Sequence, residues 1–144
     1  MPGLLALLTA SIFFGAAIYI NLVEQPARLH LEDRAALVQW VPSYRRAFEM
    51  QATLALVSGL FGAAAWGQTG HVLWGFGAAI IILNWPYTLL FVMPVNRSLE
   101  AIRPDDAGEE SRGLLKLWGR LHAGRSALGG LAATIFLVAA RLEL

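Results

Sequence analysis

Three long runs of this 144-residue chain carry no charged side chain: residues 1–23, 50–96 and 126–140. A bilayer core about 30 Å thick takes about 20 helical residues to cross, so runs of this kind constrain the chain to a membrane fold. The cations fall between the runs. Of the 11 Lys and Arg, four are Arg28, Arg34, Arg45 and Arg46, and six are Arg97, Arg103, Arg112, Lys116, Arg120 and Arg125. The positive-inside rule puts segments 24–49 and 94–120 in the cytoplasm and both termini on the non-cytoplasmic side. Only Arg141 opposes this bias. The expectation is a multi-pass protein of the cell membrane with the lipid bilayer as its first partner.

The spans follow from the punctuation. The first is expected from Pro2 to Val23 and to end at Pro26, because a proline lacks the backbone donor and clashes with the preceding turn. It has no basic leader and no small-residue cleavage site, so it reads as a retained helix rather than a signal peptide. The second runs from about Arg46 to Gln68 and the third from His71 to Met93, with Gln68-Thr69-Gly70 as a tight turn between antiparallel neighbours. The last run, 126–140, gives only about 22 Å of helix. The fourth span must therefore begin near Trp118–Leu121, which draws His122 and Arg125 into the membrane edge. The fold expected is all-α: one antiparallel four-span bundle over residues 1–144, with short interfacial helices in its two cytoplasmic loops. One is expected at 31–41, broken by Pro42, with Trp40 at headgroup depth and Ser43 capping the second span. The other is expected to start at Pro104-Asp105-Asp106 and to run through Glu109, Glu110 and Lys116 toward the fourth span. Small pairs four apart (Ser11/Gly15, Ser58/Gly62, Gly75/Ala79, Gly129/Ala133) suit close helix contacts or a homo-oligomer seam.

Composition removes several function classes. The chain is 57% hydrophobic, and a net charge of +1 gives no reason to expect nucleic acid. With no Cys there is no disulfide, thiolate ligand or Cys nucleophile. No phosphate-binding glycine loop or Ser/His/Asp motif occurs. The three histidines, His30, His71 and His122, show no H-x-x-H or E-x-x-H spacing, so no metal site is assigned.

Polar residues within the spans are expensive and so become candidates. Trp118, His122, Arg125 and Gly129 are spaced 4, 3 and 4, which places them on one helix face. They form either a pocket wall or a headgroup contact with Arg125 snorkelling to phosphate. Asn21 and Glu24 lie at the cytoplasmic end of the first span. Glu24 is a candidate partner for Arg28, for Arg125, or for orienting His122. Asn84-Trp85-Pro86-Tyr87-Thr88 lies inside the third span. Pro86 frees the carbonyl of Ile82, so Asn84 and Thr88 either line a cavity or satisfy the kinked backbone. Asn96, at the exit of that span, is placed to reach His122.

In order along the chain stand Asn21-Leu-Val-Glu24-Gln-Pro26-Ala-Arg28, Trp40-Val-Pro-Ser-Tyr44, Asn84-Trp-Pro86, Pro94-Val-Asn96-Arg97 and Trp118-Gly-Arg-Leu-His122-Ala-Gly-Arg125. In these motifs, over nearly its full length, the chain resembles a family of small four-span membrane proteins that includes the fungal anthrone oxygenases. The resemblance implies a four-helix membrane bundle. For the characterised members it also implies oxidation of an anthrone to an anthraquinone by molecular oxygen with no known cofactor. On that reading His122 is the base, Arg125 and Asn96 stabilise an enolate, and Glu24 orients the imidazole. Trp118, Trp85 and Tyr87 then hold a flat lipophilic aromatic ligand. The alternative class is a non-enzymatic module that binds a lipid or small hydrophobic molecule, or joins a larger membrane complex.

Overall fold

The computed structural model describes residues 1–143. Four helices are each long and apolar enough to cross a membrane: α1 (Pro2–Leu29), α2 (Asp33–Thr69), α3 (Val72–Ala101) and α4 (Glu109–Leu142). There is no strand among the described residues. Each helix packs on its neighbours in sequence, and α4 closes back on α1, giving an up-and-down bundle. The α2–α3 turn is the expected one. Gly70, at φ 71, takes the left-handed conformation that ends α2, and its N–H reaches the Trp66 carbonyl at 2.8 Å.

All four helices outrun their expected spans at the basic ends; α4 does so by continuing the expected helix through Glu109, Glu110 and Lys116, and α1 and α2 by passing prolines that do not break them. Pro26 does not end α1. Residues Ile20–Glu24 form a π turn, in which the Gln25 N–H bonds to the Ile20 carbonyl, and the helix resumes with Pro26 in its first turn. The same device recurs in α3, where Thr88–Val92 forms a π turn, Met93 bonds back to Thr88, and Pro94 follows. A one-residue register shift disposes of the missing donor at each site.

Pro42 does not break a helix either. It lies inside α2, which is continuous for 37 residues, so the separate interfacial helix at 31–41 is absent. Burial of Ala36, Leu37 and Trp40 in a core cluster holds the segment in line. Trp40 is fully buried rather than at headgroup depth, and Ser43 donates to Glu24 instead of capping. In the second loop Pro104–Asp106 is a single 3₁₀ turn, and α4 starts at Glu109 with Ser111 and Gly108 capping it. Arg112 fastens this end: it pairs with Asp33 and donates to the Leu29 carbonyl at 2.8 Å.

The core is stacked. An outer cluster holds Ala6, Ala10, Trp74 and Phe136. A middle cluster holds Phe13, Ala17, Ala55, Ile81 and Ala132. The cluster at the basic end holds Ile20, Trp40, Val92, Leu99 and Trp118. Of the small-residue pairs, Ser58 and Gly62 are buried, and Gly129 lies beneath Phe13. Ser11 and Gly15 face outward, whereas Gly75 lies against the Trp66 ring of α2 although Ala79 is exposed. Close approach of α1 to α2 depends instead on Ala6, Ala10 and Ser58, whose hydroxyl donates to the Ala6 carbonyl at 2.9 Å.

Candidate functional site

Between the middle cluster and the basic-end cluster, every helix contributes a polar residue. At 1.5 Å per residue, Asn84, Thr88, Arg125, Gln51, Asn21 and His122 lie about 18–30 Å from the outer ends of their helices. That is within the depth of a bilayer core, on its basic side. Asn84, Thr88, Gln51, His122 and Arg125 are all buried.

His122 is held by Asn21. The Asn21 side-chain N–H donates to the Gly119 carbonyl at 2.9 Å, which leaves Oδ1 as the acceptor. Ser126 donates to that oxygen at 2.7 Å, and His122 Nδ1 stands 2.9 Å from it. Nδ1 therefore carries the proton of the neutral ring, and Nε2 keeps the lone pair. One face of the imidazole lies against Trp118, with ring centroids 5.0 Å apart. Trp118 in turn meets Trp40 edge-on at 5.9 Å and has the Arg28 guanidinium 5.6 Å from its centroid.

Arg28 and Arg125 show two treatments of a buried guanidinium. Arg28 donates to Gln39, Gln25 and Glu24, and to Ser43 at 3.3 Å, and it forms an ion pair with Glu24 at 2.5 Å. Glu24 thus serves Arg28 and Ser43, and is neither the partner of Arg125 nor the orienter of His122. Its reach is limited by the adjoining guanidinium, and Asn21, one turn deeper, takes the orienting place. Arg125 is as buried, at 5% exposure. It forms no hydrogen bond or ion pair among the described residues, and its Nε has no partner. The Phe13 ring centre lies 5.7 Å from its guanidinium carbon.

Arg125 reaches a small cleft between α2 and α3, lined by Phe48, Ala52, Asn84, Trp85, Thr88 and Leu89. The break before Pro86 occurs at Leu83, and the Asn84 side chain donates to the Ile81 carbonyl at 3.1 Å. That bond goes to the carbonyl of Ile81 and not to that of Ile82, which Pro86 was expected to free, while Asn84 Oδ1 and Thr88 Oγ1 are unpartnered and their residues line the same cleft as Arg125.

Other expected residues are placed differently. Asn96 is buried but bonds nothing across to His122; its Oδ1 has no partner. Val95 and Leu99 beside it pack in the basic-end cluster, which carries Asn96 past His122 along the helix. The aromatic sandwich is not assembled. Tyr87 donates to the Leu121 carbonyl at 2.8 Å and lies over Gly124, clamping α3 to α4. Trp85 is 39% exposed at the rim of the cleft. Gln51, absent from the expected set, is fully buried with both amide atoms unpartnered. Its signal was available: it is a large polar residue inside the uncharged run 50–96, with Ala47 and Ala55 one turn to either side. His30 is exposed and far from a ligand set, and no three His, Asp or Glu side chains cluster among the described residues.

A family model described as anthrone oxygenase matches residues 40–135. The match takes in Gln51, Asn84, Thr88, Asn96, Trp118, His122 and Arg125, and leaves Asn21, Glu24 and Arg28 outside it. No curated protein and no solved structure matches the chain.

Proposed function

The chain belongs to the anthrone oxygenase family, and from that premise we propose that it is an integral membrane oxygenase acting, without a bound cofactor, on a lipophilic aromatic of the anthrone or quinol type. The observation that carries this reading is Arg125: a buried cation with no protein partner among the described residues, facing a cleft that also holds Asn84 and Thr88. Such an arrangement suits a ligand that brings its own negative oxygen.

His122 supplies the base. Its Nε2 takes a proton from the methylene carbon opposite the substrate carbonyl, and the charge moves to the carbonyl oxygen as an enolate. Arg125 donates to that oxygen. Molecular oxygen accepts an electron from the enolate, and recombination forms a C–O bond, giving a hydroperoxide once protonated. Loss of the second methylene proton with O–O cleavage expels water and leaves the quinone. The balance is one substrate and one O₂ to one quinone and one water. Asn96 is assigned a supporting polar role on the basic side of His122. The cleft as it stands, about 10 Å³, has room for one water, so a lipophilic substrate enters only by displacing Leu89 and Trp85, the exposed side chains at its rim, and comes from the bilayer rather than from water. Cytoplasmic placement of the basic ends, in the cell membrane, follows from the charge bias.

Oxygen consumption by chelator-treated protein in detergent, with an anthrone as substrate, is the test. Wild type should consume O₂ and form the quinone in equal amounts, and His122→Ala should be about 10²- to 10⁴-fold slower. Full activity in His122→Ala, or no uptake by folded wild type with any flat aromatic, rejects the proposal.

A further inference from the structure

Two hollows lie end to end on the outside of the bundle, in the seam between α1 and α4. One, of about 610 Å³, follows Gln25, Leu29, Lys116, Gly119 and Arg120. The other, of about 520 Å³, follows Phe14, Ile18, Ala127, Gly130 and Leu131. Asn21 and Ala123 border both, so the two form one groove. The α4 wall is Gly or Ala at 119, 123, 127 and 130, which is why no side chain fills it.

The chemistry changes along this groove. At its basic end Lys116 and Arg120 stand one turn apart and exposed, and neither forms an ion pair among the described residues. Arg120 is 22 residues from Leu142, or about 33 Å, which sets it at the boundary of a core about 30 Å thick. From Arg120 to Thr134 the groove descends about 21 Å, more than the roughly 15 Å depth of one leaflet's hydrocarbon. Below Ala123 its walls are mostly apolar. A molecule with an anionic head and a long apolar tail matches both ends. A zwitterionic lipid presents a phosphate too, but its own ammonium already neutralises it, which leaves the two cations with no net counter-charge.

We propose that the α1–α4 seam binds one anionic phospholipid, its phosphate held by Lys116 and Arg120 as charge-assisted donors and one acyl chain lying along Phe14, Ile18 and Leu131. The site is separate from the Arg125 cleft, which opens between α2 and α3. It adjoins the imidazole through Asn21, which borders the groove and holds His122. The inference does not rest on the oxygenase reading.

Native mass spectrometry of protein released from neutral detergent, offered equal phosphatidylglycerol and phosphatidylcholine, reads the site directly. Wild type should retain one phosphatidylglycerol in preference. Lys116→Gln with Arg120→Gln should lower that preference about 30-fold, taking about fivefold for each cation. Ala123→Leu, which fills the groove, should lower retention of both lipids while the tryptophan-fluorescence melting curve stays that of a folded protein. Equal retention of the two lipids by wild type overturns the proposal. So does an unchanged preference in the double variant, or a dimer of this chain that occupies the seam and that Ala123→Leu abolishes.

Discussion

Replacing Arg125 by Met should make this protein more stable and less active. The side chain is 5% exposed and has no protein partner for its charge among the described residues. Exchanging buried charged groups for apolar residues of similar volume is neutral or stabilising by about 1–4 kcal/mol even when the charges are paired. Against this stands the lost contact with Phe13 at 5.7 Å, about 0.5–2 kcal/mol. The net gain is about 1–2 kcal/mol, which in a domain of this size raises Tm by roughly 3–8 °C. Arg28→Met is the control and has the opposite sign. Its removal leaves Glu24 with only its Ser43 and Gln39 donors and leaves the side-chain oxygens of Gln25 and Gln39 without theirs, a loss of about 1–3 kcal/mol. The chain has five Trp and no Cys, so intrinsic fluorescence during heating in detergent is the natural assay. Oxygen uptake on the same samples reports activity. Should Arg125→Met melt as low as Arg28→Met, Arg125 has a structural partner and the argument from its isolation fails.

Asn21→Leu removes the acceptor that fixes the His122 tautomer, and should slow turnover about 10- to 100-fold, as loss of orienting groups does at metal-bound histidines; turnover equal to wild type would show that Trp118 alone positions the ring. Gly77→Val should destabilise by about 1–3 kcal/mol, seen as a lower melting temperature, because even a Cβ there lies 2.5 Å from the Phe136 ring. A reporter inserted at Asp106 should label as cytoplasmic, and one fused after Leu144, outside the described residues, as periplasmic; the reverse would overturn the positive-inside assignment. Glu143 lies beyond α4, and donation from Trp74 at 2.8 Å, then from Thr69, holds its carboxyl below the ordinary carboxylate range. Because the folded value is the lower one, its stabilisation is present above the unfolded carboxylate range and is lost as pH falls through the lowered value. Melting curves of wild type and Glu143→Gln should therefore converge on acidification, and a constant gap between them would exclude this linkage.

The number of helices, their order and the α2–α3 turn were legible because uncharged length and Gly70 are local signals. Helix ends were not legible at the basic side. Pro26 and Pro42 read as breaks in sequence, but a π turn and a buried tryptophan carry the helices through them. Helical spacing correctly put Trp118, His122 and Arg125 on one buried face. It could not tell which partner each would meet, since that depends on the rotation of α1 against α4. Asn21 rather than Glu24 faces His122 because the π turn at Ile20–Glu24 resets the helix face between them. Gln51 escaped notice because a single amide near a span boundary resembles a headgroup contact until α2 is seen to continue past it.

The unpartnered polar atoms argue that this layer is built for an occupant. Among the described residues they are Trp40 Nε1, both amide atoms of Gln51, His71 Nδ1, Asn84 Oδ1, Thr88 Oγ1, Asn96 Oδ1, Trp118 Nε1 and Arg125 Nε. Only His71 belongs to the outer end. Each buried group left without a bond costs about 1–3 kcal/mol, so those of the basic half together approach the whole stability of a domain, about 5–15 kcal/mol. A bundle selected for stability alone would carry Leu or Ala at 51, 84, 88 and 125, as it carries Ala at 55 and 132. Donors and acceptors occur together on α2, α3 and α4, so no rotation of one helix would satisfy them all. They need water or a ligand between the helices. On the proposed reading, the isolated charge of Arg125 calls for a ligand that is rich in electrons at the atom it presents.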